Sequence, residues 1–534
     1  MAAGNGALGL AKQPALGLGL LVLIASAVLG ALISLWRIGI DEPFSLADPY
    51  LLSVVKFTLG QAALSALISV LAAIPVARAL ARRPDFFGRG LMLQMFALPL
   101  VMPAIVVALA VVSLFGRAGW FNQLLGFLGL PPIGIYGLPG ILVAHAFFNM
   151  PLAARLLLTV LERIPAEHWR LAEQLGLPPS VCFRRVELPA LTRALPGVAV
   201  LIFLLCSSSF TIVLALGGGP AATTLEVAIY EALRSSFEPG RAAQLALVQL
   251  VVTGACLVLS RHLTAGWPRD VDLGRKTCRP DAQSHLSKLV DGGILLLGGL
   301  FVGLPLLALL IDGLSGPVTT VLADPDLHRA LGRTLLIAVT AAPLSLALAW
   351  GLLTGARASH GRLRALLTSG GDVVLTVPPL VLGTGWFLLI RPLTAPDEIR
   401  LGLVIVMNAL MALPFVLRTL APPMAEAAER QNRLCASLGI SGWNRLRLID
   451  WPSLSRPIAL ALGLAAALAA GDFAAVALIG AQSSDALPLL LHARMGSYRL
   501  NDAAVIAVIL TLTGLVLLSL FDLGGRALGK RHRA

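Results

Sequence analysis

Apolar runs of about twenty residues, parted by short polar stretches, recur twelve times along this chain. They lie near 14–36, 54–80, 91–115, 137–160, 195–217, 241–264, 288–312, 331–354, 371–391, 401–420, 457–480 and 502–523. About 20 helical residues cross the roughly 30 Å hydrocarbon core of a bilayer, and only a helix or a closed barrel satisfies its backbone there. The pattern predicts an all-α polytopic membrane protein with about twelve transmembrane helices.

Two polar stretches, 161–195 and 421–457, carry one pattern at a separation of 263 residues: Ala172, Gly176, Val186, Leu188 and Pro189, then Cys435, Gly439, Ile449, Trp451 and Pro452. At the same offset Pro151 falls on Pro414, Arg155 on Arg418, Phe210 on Phe473 and Gly217 on Gly480. Upstream the offset becomes 276, with Thr58 on Thr334, Ser69 on Ser345 and Pro103 on Pro379, so a connecting loop of the second copy is 13 residues shorter. Similarity this long marks a duplication. It predicts a first six-helix half over 1–265, a connecting segment over 266–287 and a second six-helix half over 288–534.

Composition agrees with the apolar pattern, and charge adds orientation. Only 13% of residues are charged, against about 25% in soluble domains. Of the 41 Lys and Arg residues, 28 fall on the side that holds both termini, the connecting segment and the two repeated loops, and 11 on the other. By the positive-inside rule that richer side is cytoplasmic, which accounts for the net charge of +13 without nucleic acid. The first apolar run exceeds a signal-peptide core and is read as a membrane helix. Cys182, Cys206, Cys256, Cys278 and Cys435 show no metal-ligand spacing and read as packing residues.

In the first loop Pro165 is set to start a short helix with Trp169, Leu171, Ala172 and Leu175 along one flank, and Gly176 to end it in a left-handed turn. The second copy predicts a corresponding helix ending at Gly439, with Ser441 capping the next. Ala172 and Cys435 are small enough to let each helix lie close to a partner. Asp472 lies deep in a span, where a bare charge costs roughly 2.5–3.5 kcal/mol. It reads either as a group that binds a cationic solute or couples motion, or as a structural cap at Gly471. His145, Asn149, Asn408, Gln244 and Gln249 read as helix-to-helix hydrogen bonders. Pro99, Pro103, Pro378 and Pro379 predict kinks.

The repeated loops resemble the coupling loops of ABC-importer permeases, in which a short cytoplasmic helix inserts into a cleft on an ATPase subunit. The resemblance implies two type I importer halves fused in one chain. It assigns ATPase coupling to Trp169, Arg170, Leu171, Ala172, Leu175, Gly176 and Pro189, and to Arg433, Leu434, Cys435, Leu438, Gly439 and Pro452. Arg170–Leu171 and Arg433–Leu434 stand where that family has a glutamate and an alanine, and Glu426–Ala428 supplies that triplet at the wrong spacing. Longer strings, among them YGLPGILVAHAFFNMPLAARLLLTVLERIPAEHWRLAEQLG, LALGGGPAATTLEVAIYEAL, GDFAAVALIG and GSYRLNDAAV, resemble the fused thiamine transport permeases. They imply an inner-membrane permease that receives thiamine, or its phosphates, from a periplasmic binding protein, with a homodimeric ATPase below. A weak solute path or gate is then expected near Ser207, Ser208, Phe210, Asp472 and Phe473.

No cofactor is expected on this chain, and ATP and magnesium belong to the partner ATPase. GGRALGK at 524–530 begins like a P-loop, but Arg531 replaces its Ser or Thr. Nor is there an HExxH or GxSxG motif, so no enzyme activity is expected. A fused permease for iron(III) or another solute, and an ion-coupled carrier, are the alternatives.

Overall fold

The computed structural model describes residues 3–40, 48–217, 219–263, 279–371, 374, 377–390, 397–438, 440, 442–480 and 486–531. Among them eleven helices are long and apolar enough to cross a membrane, and a shorter apolar helix, Pro379–Ile390, stands at the ninth expected span. The described regular structure is entirely helical.

The chain divides into two compact units, and these cut across the sequence repeats. One comprises 45–228 and 251–315, the other 1–44, 229–250 and 316–534. Each therefore takes its first helix from the opposite half of the sequence, an exchange that the boundaries 1–265 and 288–534 do not express.

In the first unit, Pro49–Arg82 runs along Leu138–Glu162 and Leu188–Ser207, and His285–Ser315 packs on Pro49–Arg82 and Ala104–Phe115. Ala66, Val70, Ala73, Phe147, Leu157 and Val302 belong to one buried cluster. In the second unit, Ala3–Ile40 packs on Pro325–Arg357 and Pro379–Ile390, while Trp451–Gly471 meets Leu500–Arg531, Asp397–Ser437 and Pro325–Arg357. Small residues permit these approaches. A Cβ on Gly385 would lie 2.5 Å from the carbonyl oxygen of Ala31, and one on Gly17 would lie 2.9 Å from the Cα of Gly355. One turn from the first crossing, Trp386 donates its indole N–H to the carbonyl of Ala27 at 3.0 Å.

The duplication has a structural signature in two threonines. Thr58 Oγ1 accepts the backbone N–H of Leu225 at 2.9 Å, and Thr334 Oγ1 accepts that of Leu487 at 2.8 Å. Each satisfies the free N–H at the start of a short helix, Leu225–Arg234 in one half and Leu487–Gly496 in the other.

Among the described residues, the expected spans at 91–115, 195–217 and 457–480 are interrupted. The span at 91–115 consists of Arg89–Ala97 and Ala104–Phe115, parted by the turn Leu98–Leu100, which contains Pro99, with Pro103 capping the second helix. The span at 195–217 breaks between Ser207 and Thr211, and that at 457–480 between Gly471 and Ala474. Pro379 opens a helix instead of kinking one.

The helix crossing at Gly385 gives a test. Gly385→Ala must push backbone against backbone and is expected to destabilise the protein by about 1–3 kcal/mol. Gly402→Ala, where an added Cβ meets nothing within 4 Å, is expected to stabilise by up to about 1 kcal/mol through helix propensity. Thermal unfolding in detergent compares the two.

Candidate functional site

The first repeated loop forms a small helix, Ala166–Gln174, that starts after Pro165. Proline lacks an N–H and bars its predecessor from the helical region, so the preceding helix stops at Glu162. At the far end Leu177 N donates to Ala172 O at 3.0 Å, and Gly176 takes a left-handed φ of +59°. This closure is the usual role of glycine after a helix.

The flank read from the sequence divides in two. Trp169 and Ala172 are 2% and 1% exposed and pack with Cys182 against Ile164, Leu177 and Val186. Ala172 is thus small because the loop's own core is tight, a correction to its expected place against a partner. Leu171 and Leu175 are 53% and 63% exposed, and Arg170 and Gly176 are exposed with them. The outward face is apolar at its centre.

The second loop is built differently. A single helix, Asp397–Ser437, runs without a break from the span into the loop, so the separate helix expected there is absent. At the repeat offset Ala428 stands where the first half has Pro165, and nothing at that point stops the helix. The closure is nevertheless the same, with Ile440 N donating to Cys435 O at 2.9 Å. Cys435 is buried and Leu438 exposed. Arg433 and Leu434 lie on this helix, while their side chains, Gly439 and Ser441 lie outside the described residues.

Downstream, both loops wind through one turn of π-helix, Phe183–Glu187 and Leu446–Asp450, at the 263-residue offset. The cause lies in Pro189 and Pro452, which cannot donate to the carbonyls of Arg185 and Leu448. The wider turn pairs Leu188 N with Phe183 O and Trp451 N with Leu446 O instead.

Each π turn ends in a buried acid, and the acid ties the loop to a long helix. Glu187 is fully buried, and Arg78 Nε of Pro49–Arg82 donates to it at 2.7 Å. Arg279 of the connecting segment also bonds Glu187, reaches Asp281 at 3.2 Å, and lays its guanidinium over the Trp169 ring at 3.9 Å. Arg82 bonds Asp281 at 2.9 Å, and Arg83 bonds Asp291 at 2.9 Å. Burial pushes the Asp281 carboxyl up, but Arg279 and Arg82 outweigh it and hold the group below its ordinary value. In the second loop Arg357 of Pro325–Arg357 donates to Asp450 at 3.3 Å and to the Met424 carbonyl at 2.7 Å, with Arg445 3.5 Å from Asp450. Sequence reasoning passed over Arg78, Glu187, Arg279, Asp281, Arg357 and Asp450. A signal was present, since Glu187 and Asp450 are acids at the same offset, directly before Leu188–Pro189 and Trp451–Pro452.

The residues expected along a solute path sit at the two helix interruptions. Ser207 and Ser208 both bond back to Leu204 O, at 3.0 and 2.9 Å, and Phe210 is buried. In the other unit Asp472 caps the new helix turn, accepting the N–H groups of Ala474 at 3.1 Å and Ala475 at 3.3 Å, with Asn408 also bonded to it. Phe473 is buried beside His492 at a ring separation of 5.1 Å. Of the other polar candidates, His145 bonds Ser65 at 3.0 Å and Asn149 reaches Cys206 Sγ at 3.3 Å. Asn408 bonds Val404 O at 3.0 Å, and Gln244 bonds Gly39 O at 3.2 Å.

Three outcomes are expected from these contacts. Glu187→Gln takes from Arg78 its acid and leaves Arg279 with Asp281, and is expected to cost about 3 kcal/mol, read as lost hydrogen-exchange protection over 166–187. The low pKa of Asp281 means its contribution is complete above the ordinary carboxylate value of about 3.9 and lost only as pH falls through its still lower folded value. Protection is therefore expected to be unchanged from pH 8 to pH 5. At the helix break, Asp472→Ala is expected to cost about 1 kcal/mol as a lost cap and Asp472→Asn less, measured by thermal unfolding.

Comparison with known proteins places this geometry. The family model of the binding-protein-dependent transport system inner membrane component matches twice, over 69–265 and 347–534. The thiamine transport system permease protein of Brucella abortus is 42% identical over 98% of this chain and 97% of its own length. That of Escherichia coli is 42% identical over 94% of both. The sulfate transport system permease protein of Escherichia coli is 29% identical over 38% of this chain. With both halves matched in tandem, the chain belongs to the family of binding-protein-dependent transport permeases, as a fused two-half member.

Proposed function

We propose that this chain is the membrane subunit of an ABC importer that carries thiamine across the bacterial inner membrane, with both termini cytoplasmic. The observation that carries the reading is identity of 42% to thiamine permeases, spread over 98% of the chain and both halves. Solute is handed over by a periplasmic binding protein, and ATP and magnesium are bound by two copies of a separate ATPase subunit.

Coupling then follows from the loops. The exposed faces around Arg170, Leu171 and Leu175, and around Leu438, meet the ATPase. Trp169, Ala172 and Cys435 hold each helix to its own loop. When ATP binding draws the ATPase subunits together, displacement of the first loop reaches Pro49–Arg82 through Glu187 and Arg78. Displacement of the second reaches Pro325–Arg357 through Asp450 and Arg357. Differential binding of the ATPase to two arrangements of these helices supplies the population shift. The gate positions are the helix interruptions near Ser207, Ser208 and Phe210 and near Asp472 and Phe473, each within its own unit.

The test is ATP hydrolysis by the full chain in lipid with its cognate ATPase and binding protein, on addition of thiamine, thiamine phosphates, iron(III), sulfate or polyamine in turn. Stimulation by thiamine or its phosphates is expected, reduced at least tenfold when Gly176 and Gly439 are both replaced by Leu. Stimulation by another solute alone overturns the thiamine assignment. Failure of the folded chain to bind an ATPase, with uptake driven by an ion gradient, overturns the importer.

A further inference from the structure

Among the described residues, the non-glycine positions with positive φ are Phe237 at +56° and Tyr498 at +59°. They lie 261 residues apart, two short of the 263-residue repeat offset, just past the corresponding short helices Leu225–Arg234 and Leu487–Gly496. Each follows the short helix whose first N–H is held by Thr58 or Thr334. Each also closes that helix. Glu238 N donates to Ala232 O at 2.7 Å in the first half, and Arg499 N donates to Arg494 O at 3.0 Å in the second.

Glycine is the residue this closure favours, because a Cβ in the left-handed region crowds the following carbonyl. An aromatic ring there works against the fold and is repaid by packing only if it is buried. These are not, since Phe237 is 74% and Tyr498 90% exposed. Strain that recurs at matched positions without a packing return is a mark of function.

The surroundings narrow the partner. Glu238 pairs with Arg241 at 3.4 Å, and Arg499 pairs with Asp502 at the matching position, so the order of charge is reversed between the halves. The second turn borders a cleft of about 540 Å³ whose walls include Thr319, Asp324, Arg494, Arg499, Asp502 and Ile506. Arg494 and Asp324 are bonded across it at 2.7 Å. Ion pairs and a charged cleft suit water and a protein surface rather than acyl chains. Aromatic side chains are enriched at protein interfaces, and here each stands exposed beside an ion pair. In each half one apolar span, 195–217 or 457–480, separates the turn from the coupling loop, and with the orientation read from charge this puts the turn on the side from which solute is delivered.

We propose that Phe237 and Tyr498 are paired anchors on which the soluble solute-delivering protein seats. The opposite charge order at the two turns fixes which part of that protein meets which half. The proposal rests on the importer reading above.

The experiment uses the full chain in nanodiscs with its ATPase and a titrated solute-loaded binding protein. It compares wild type with the double variant Phe237→Gly, Tyr498→Gly, and with Phe237→Asn, Tyr498→Asn, since Asn also tolerates the left-handed region. The expected result is a thermal midpoint equal to or above wild type, with at least a tenfold rise in the binding-protein concentration that gives half-maximal stimulation of ATP hydrolysis. A half-maximal concentration within twofold of wild type overturns the proposal. If the midpoint also falls, the rings are anchors in the lipid interface. Absence of stimulation in the wild type itself defeats the importer reading, and is seen before any variant is compared.

Discussion

A buried carboxylate stands near the end of each repeated loop, and it ties the loop to a long helix. Glu187 and Asp450 each end a π turn forced by the proline two residues on. In that position the acid must find a cation or carry the cost of a bare buried charge, which exceeds what a small loop can supply from packing. The cation comes from the end of a long helix, Arg78 in one half and Arg357 in the other. Desolvation thus makes the loop and the helix one mechanical piece. An exposed ion pair in the same place, worth at most about 1 kcal/mol, would let them slip.

The halves reach stiffness by different routes. The first loop has a proline break before its helix, so the helix would pivot freely if nothing else held it. Arg279 holds it, with its guanidinium over Trp169 and its hydrogen bonds on Glu187 and Asp281. The second loop has no such stop, and Asp397–Ser437 stays helical from the membrane into the loop, with Pro422 and Pro423 removing two rungs of the backbone ladder at the junction. Its acid is held at longer range, by Arg357 at 3.3 Å and Arg445 at 3.5 Å. Where the helix continues into the loop, the charge network is thinner.

Much of this was legible in the sequence, because the bilayer imposes length and apolarity on any span. The repeat offsets of 263 and 276 residues located both loops, the π-turn prolines and the threonine pair Thr58 and Thr334. Asp472 was read as a ligand or a cap, and its bonds to Ala474 and Ala475 are those of a cap. What escaped depends on pairing between distant segments. Nothing local to Arg279 announces Trp169, 110 residues earlier in the chain. Nor does the pattern around Ala172 say whether a small residue serves a partner or the loop's own core. The exchange of first helices was invisible for a related reason. Periodicity reports that a helix has an apolar face, whereas the choice of neighbour is made by a few glycines such as Gly17 and Gly385.

That exchange changes what the fusion of two halves means. A six-helix half cut at residue 265 would carry a first helix whose contacts lie on Pro325–Arg357 and Pro379–Ile390, and would leave Pro49–Arg82 without His285–Ser315. Arg279 and Asp281, the residues that steady the first loop, sit just before that incoming helix and bond Glu187 and Arg82. The connecting segment is therefore placed by the same packing that completes the first unit. In two separate chains the same arrangement would have to be found by association, at the entropic cost of bringing the pieces together. In one chain the docking of His285–Ser315 delivers Arg279 to Trp169, and assembly of the membrane core sets the helix of the first loop.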